Sequence, residues 1–237
     1  MKVIEIKDLK KNYKYVEALK GVTFDIAEGE IFGLLGVNGA GKTTLIKILS
    51  GLTKKTSGEA FVYGHSLDEM DKIKEIIDIS PQETAIAQNL TVEENLDFFQ
   101  KLYGVSDKEY LNEIINKFDL SSVLKRKGKT LSGGWQRRLS IAIGLISKPK
   151  VLFLDEPTLG LDVIARRELW SIISSLKGKM TIILTSHYLE EMEALCDRVA
   201  IMSKGNLLAL GSVDEIKKSK NEESFEEAFI KIVGGME

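Results

Sequence analysis

The sequence predicts an α/β protein with a mainly parallel sheet, an antiparallel β subdomain at its N-terminus and an α-helical subdomain inserted into the core. Three observations predict it. First, the apolar runs IFGLL (31–35), VLFL (151–154), TIIL (181–184) and VAIM (199–202) are continuous rather than alternating, as in strands buried on both faces. Second, VIEIKDL and ALKGVTFDI near the N-terminus alternate more, in the manner of antiparallel strands. Third, no strand pattern occurs between IDISPQ and VLFL, where helical patterns stand instead.

Taken in chain order, the alternating pair leads into IFGLL and then the loop GVNGAGKTT (36–44). After that loop, Leu45, Ile48, Leu49 and Leu52 recur at the spacing of a helix's buried face. The segment TVEENLDFFQKLYG begins with Thr91 and has Glu94 three residues on, a capping box opening a helix. DKEYLNEIINKF continues the helical pattern. LSGG (131–134) heads a segment in which Leu139, Ala142, Ile143 and Ile146 are spaced for burial. In the tail, Ser224 and Glu227 stand in capping-box register, and Phe225, Phe229 and Ile232 share a helical face. A short terminal helix docked on the core is expected.

With 237 residues, three prolines and no low-complexity linker, the chain reads as a single domain. Residues 1–82 and 150–215 form its core, 83–149 the helical insertion and 216–237 a C-terminal helix. A net charge of -2 gives no broad basic footprint, so no nucleic acid is expected as a partner. The only cysteine, Cys196, has no disulfide partner within the chain and reads as a small buried residue. The N-terminal MKVIEIKDLKKNY lacks an apolar signal core. No apolar run approaches the ~18 residues of a membrane span. A cytoplasmic protein is expected.

The loop at Gly36–Thr43 satisfies G-x-x-x-x-G-K-[ST] between a buried strand and a helix. Its backbone N–H groups, across Gly36, Asn38, Gly39, Ala40, Gly41 and Thr44, can turn inward on phosphate oxygens at a helix N-terminus. Lys42 should reach the β- and γ-phosphates and Thr43 should ligate Mg2+. This is a nucleoside triphosphate site on a P-loop NTPase core. NKFD at 116–119 matches a guanine-recognition motif, but it follows the helical EYLNEII and no D-x-x-G precedes it. Adenine, hence ATP, is favoured. Tyr13 offers a stacking face for the base, with Tyr15 as its competitor.

VLFLDEP ends a buried strand on two carboxylates. Asp155 is placed to hold Mg2+ opposite Thr43, and Glu156 to orient or deprotonate an attacking water. TSH ends another strand and brings His187 to the same sheet edge. His65, on a polar turn, has no such company. LSGG is a second helix N-terminus suited to an anion, through Ser132 and the amides of Gly133 and Gly134.

The ordered set GVNGAGKTT, SPQ, LSGG, VLFLDEP, LGLD and TSH resembles the nucleotide-binding subunits of ABC (ATP-binding cassette) transporters over nearly the whole chain. The resemblance implies a head-to-tail pair in which each LSGG faces the γ-phosphate held by the other copy's phosphate loop. It implies Tyr13 as the adenine-stacking aromatic, and Gln82 as the glutamine that senses magnesium and γ-phosphate. It also implies Glu156 as the catalytic base, His187 as the switch histidine and Asp162 as the aspartate that communicates across the pair. Implied partners are a second nucleotide-binding subunit, in a homodimer or a pseudo-symmetric heterodimer, and polytopic membrane permease subunits. The chain would then lie on the cytoplasmic face of the cell membrane. TVEENLDFFQKLYG and SFEEAF resemble the exporting branch. Two departures stand out. Trp135 takes the position commonly held by Gln, where it reads as an interface packing residue, and Leu159 replaces a small residue. The alternative is a soluble cassette ATPase, for example in iron–sulfur cluster assembly. A metabolic kinase would leave LSGG and TSH without a role.

Overall fold

The computed structural model describes residues 1–235. Strands β1 (Lys2–Tyr13) and β2 (Val16–Ala27) form an antiparallel pair, followed by β3 (Ile31–Leu35) and α1 (Lys42–Leu49). Next come β4 (Ser57–Val62), β5 (His65–Ser66), α2 (Met70–Lys74) and β6 (Ile77–Ser80). The helical stretch holds α3 (Val92–Tyr103), α4 (Lys108–Lys117) and α5 (Gly133–Leu145). The chain then returns through β7 (Val151–Asp155), α6 (Val163–Ser174), β8 (Thr181–Ser186) and α7 (Leu189–Leu195). It ends with β9 (Arg198–Ser203), β10 (Asn206–Gly211), α8 (Val213–Lys220) and α9 (Phe225–Gly234).

Two sheets result. A four-stranded antiparallel sheet runs β2-β1-β4-β5, and a six-stranded sheet runs β10-β9-β3-β8-β7-β6. In the latter, neighbours from β9 to β6 are parallel and only β10 is antiparallel. Strand alternation explains the continuous apolar runs. In β3, Phe32 and Leu34 join the core shared with the antiparallel sheet and α1, while Ile31 and Leu35 join the core under α5, α6 and α7. β7 divides likewise, Val151 and Phe153 to one side and Leu152 and Leu154 to the other. Both faces of these strands are buried, so their runs are apolar throughout, and the polar residues Asp155, Thr185 and Ser186 come at the strand ends that meet the cleft.

Local chemistry starts most of the helices. Thr91 and Glu94 form the expected capping box on α3, and Asp107, Asp162 and Ser212 cap α4, α6 and α8. Three expectations need correction. Leu52 is not on the buried face of α1: the helix ends at Leu49, Gly51 turns the chain at φ 75°, and Leu52 is exposed. Ile46 is buried in that helix instead. At the tail, the Ser224 hydroxyl accepts the N–H groups of Glu226 and Glu227, without the reciprocal bond from Glu227 that a full capping box needs. The segment from 216 onward is not one helix, since it begins inside α8, and Asn221 in the left-handed region (φ 58°) separates α8 from α9. Its last two residues, 236–237, lie outside the described residues. The docking of α9 is as expected, with Phe225, Ala228 and Ile232 buried in the main core.

Candidate functional site

The parallel register brings three strand ends level. Leu35 of β3 pairs with Ser186 of β8, and Asp155 of β7 pairs with Thr185. The chain leaves β3 into the phosphate loop, β7 into Glu156 and β8 into His187. A cleft of about 400 Å³ at this edge is lined by Asn38, Gly39, Ala40, Gly41, Lys42, Thr43, Thr44, Gln82, Glu156, Leu159 and His187.

The loop is shaped by its glycines. A side chain at Gly36 would meet the Met202 carbonyl oxygen at 2.3 Å, and Gly41 sits at φ 104° against the Ala18 carbonyl. Lys42 is buried and folds back so that Nζ donates to the Gly36 carbonyl at 2.6 Å, 3.7 Å from Glu156 Oε1. Burial pulls its ammonium below the usual lysine range, opposed by Glu156 and Asp155. Such a group gains most from an added anion.

The carboxylates are held by a network that the motifs do not spell out. Thr43 Oγ1 donates to Asp155 Oδ1 at 3.2 Å. Thr185 Oγ1 donates to the same oxygen at 2.6 Å and accepts the Glu156 N–H at 2.9 Å. Glu156 Oε2 lies 2.9 Å from His187 Nδ1. The Glu156 backbone has φ 51°, in the left-handed region that a non-glycine residue occupies at a cost. That turn swings its side chain into the cleft while Asp155 stays behind, bonded to Thr43. The buried Arg137 of α5 donates to the carbonyls of Pro81 and Gln82 at 2.7 Å and of Glu156 at 3.2 Å.

The other expected residues stand apart from this cleft. Tyr13 ends β1, is 46% exposed and has Lys11 Nζ 4.8 Å from its ring centroid. Tyr15, at the hairpin tip, is 94% exposed. Ser132, Gly134 and Asp162 line a separate pocket of about 350 Å³ with Trp135, Arg138 and Ile164, and Gly133 opens α5 beside them. Trp135 carries the Arg138 guanidinium 4.8 Å from its ring, and Arg138 also pairs with Glu168 at 2.6 Å. Asp162 Oδ1 accepts the N–H groups of Ile164 and Ala165. Asn116 and Lys117 of NKFD lie within α4, not at a strand end.

The helix N-termini separate by chemistry. Among the described helices of eight residues or more, α1 and α5 alone begin without a side-chain cap. Their orphan N–H groups and positive dipole ends are left for an anion from outside. For a divalent cation, Asp155 and Thr43 offer adjacent oxygens, and the described residues contain no cluster of three metal-ligating side chains. A sparse, hard-oxygen donor set fits magnesium, which takes few protein ligands and completes its shell with phosphate and water.

Fold and cleft together define an ATP-hydrolysing cassette of the phosphate-loop class. The family model described as "ABC transporter" matches residues 19–159. Similar proteins include the "Probable multidrug ABC transporter ATP-binding protein YbhF" of Escherichia coli (strain K12), 39% identical over 98% of this chain. The chain spans 42% of YbhF. The linearmycin resistance ATP-binding protein LnrL of Bacillus subtilis (strain 168) is 40% identical over 90% of this chain, which covers 70% of it. Among solved structures, the dimeric post-hydrolysis state of the ATP-binding cassette MJ0796, bound to ADP and Pi, aligns with a TM-score of 0.77 at 26% identity, covering 88% of this chain and 98% of that one. The chain belongs to the ABC transporter family, as an ATP-binding ATPase component. No helix among the described residues is long and apolar enough to cross a membrane.

Proposed function

We propose that this chain powers export through separate polytopic membrane subunits, from the cytoplasmic face of the membrane, by hydrolysing ATP at the interface of a head-to-tail pair. The observation that carries the reading is the division of two uncapped helix N-termini between two pockets of one chain. One copy supplies the phosphate loop and carboxylates, and another supplies Ser132 and the amides of Gly133 and Gly134. The dimer named for MJ0796 supports the pairing, and relatives named for multidrug transport and drug resistance support the direction. The pair is a homodimer or a pseudo-symmetric heterodimer. The cassette is read as one domain, with 83–149 as its helical subdomain.

In this reading the amides from Gly36 to Thr44 and the Lys42 ammonium hold the triphosphate, and Tyr13 stacks on adenine. Thr43, Asp155 and Gln82 hold Mg2+, which neutralises phosphate charge. Glu156 takes the proton of the attacking water as its oxygen bonds the γ-phosphorus and ADP leaves with the broken bond's electron pair. His187 keeps the Glu156 carboxylate aimed and contacts the γ-phosphate. Asp162, on the second pocket, reports the partner's state. Glu156→Gln is expected to bind ATP normally and to lose roughly 10²–10⁴-fold in turnover, the usual scale for removing a general base. Steady-state phosphate release and nucleotide binding test this, and wild-type turnover would falsify the assignment.

A further inference from the structure

The buried polar groups behind the cleft include one that the reaction above does not use. Glu191 lies on α7, four residues after His187, and is wholly buried beside Met192 and Leu195. Its Oε1 accepts Trp170 Nε1 of α6 at 2.9 Å. Its Oε2 has no hydrogen-bond partner, and neither has the equally inaccessible hydroxyl of Thr158, two residues after Glu156. Ser186, Trp170 and Thr158 are the neutral polar groups that face this carboxyl; Glu156 is a nearby charge that opposes its ionisation, and the buried Arg137 guanidinium is one that favours it. The stripe occupied by Glu191, Met192 and Leu195 would pack at least as well with an apolar residue at 191, because a buried carboxyl is costly unless its oxygens are satisfied.

We infer that Glu191 is a positioning residue for hydrolysis, bridging the His187 loop, the segment after Glu156 and α6, so that His187 and Glu156 keep their 2.9 Å contact. Burial, and after it the neighbouring Glu156, raises its pKa, opposed by the hydrogen-bonding groups of Ser186, Trp170 and Thr158. A hydroxyl can donate to a carboxylate oxygen or accept from a carboxyl O–H. In either case one bond between Oε2 and the Thr158 hydroxyl satisfies both orphaned oxygens, while Oε1 goes on accepting the Trp170 indole. The result is one unit in which a shift of α6, whose first turn is capped by Asp162, is passed to the base and to the histidine that orients it. The inference rests on the proposed role of Glu156.

Three single variants of the purified chain and one double variant test it. Glu191→Gln can reproduce both bonds through its amide and should keep at least half of wild-type kcat. Glu191→Leu fills the space but bridges nothing. It should lose roughly 10-fold or more in kcat, since small misplacements of reacting groups are costly, with KM for ATP within about twofold. Thr158→Val, which strands the Glu191 oxygen and so lowers Tm modestly, should show the same kcat loss with KM for ATP within about twofold, and Glu191→Leu combined with Thr158→Val should cost no more in kcat than either alone. Wild-type kcat in Glu191→Leu, or losses that multiply in the double variant, overturn the inference. If Glu191→Leu does not fold, Thr158→Val decides alone, and wild-type kcat there overturns it too. Glu156→Gln run in parallel separates the two readings. Inactive Glu156→Gln beside fully active Glu191→Leu defeats only the positioning role, whereas active Glu156→Gln defeats the assignment of the base.

Discussion

At the scale of single residues, Thr185 decides how the two carboxylates are presented. Its hydroxyl donates to Asp155 and accepts from the Glu156 backbone, and it is fully buried. Thr185→Val keeps the shape and removes both bonds, leaving a buried N–H unsatisfied at a cost of about 1–3 kcal/mol. Lower stability in urea together with reduced turnover is the expected result, and unchanged values of both would show that the hydroxyl is idle. Thr185 sits inside the quoted TSH, yet the sequence points past it to His187. A threonine in an apolar strand is ordinary, and only the register opposite Asp155 gives it work. Arg137 and Glu191 were hidden for the same reason. Their partners are backbone carbonyls and side chains tens of residues away, which no local spacing encodes. A faint signal did exist, because Glu191 precedes Leu195 by four positions on the buried stripe of a helix. The phosphate loop, by contrast, needs glycine and lysine at fixed short intervals, and such a demand is written openly.

At the scale of elements, β1, β2, β3, β7, β8 and β9 and the cap of α3 were legible because apolar patterning and capping chemistry are local properties. The course of α1 after Leu49 and the break between α8 and α9 were not, since both turn on one residue's left-handed backbone, at Gly51 and Asn221. The junction of β6 with the end of α5 makes a testable case. Asp78 of β6 accepts from the Ser147 hydroxyl at 2.9 Å and from the Ile79 N–H at 2.7 Å, and burial raises its pKa despite those bonds. The folded carboxyl therefore keeps its proton to higher pH than the unfolded one, whose pKa is about 3.9. Native stability falls as pH rises from there through the raised folded value, and the full cost is present at neutral pH. Asp78→Asn removes that slope. The Tm of the variant minus that of wild type should be larger at pH 7 than at pH 4, and an equal difference at both would uncouple this carboxyl from folding.

At the scale of the whole molecule, the proposed function divides one site between the two separate pockets of two copies. Glu156→Gln should be monomeric without nucleotide and dimeric at saturating ATP by light scattering. A sharper test mixes two inactive chains. Lys42→Ala destroys a chain's own phosphate loop, and Ser132→Arg blocks the face offered to a partner. Neither should hydrolyse ATP alone, but a head-to-tail homodimer of the two contains one intact site. Hydrolysis should return on mixing, and its absence would exclude self-pairing of this kind. Leu159, Val163 and Ile164, all exposed beside Asp162, agree with a surface that another chain covers.

Arg137 bears on how such a chain can be rebuilt. It belongs to α5, yet its guanidinium donates to carbonyls at Pro81, Gln82 and Glu156, outside the helical stretch. Lysine, a single flexible point charge, cannot reproduce a planar fork that serves three acceptors. The helical insertion and the core are thus not interchangeable parts. A chimera carrying a relative's residues at 83–149 inherits these carbonyl acceptors only at its borders, and it must bring an arginine to the same point in α5. Grafts chosen by matching surface loops alone would join two sound halves around a severed connection, folding well while the turn at Glu156 drifts from the loop at Gln82.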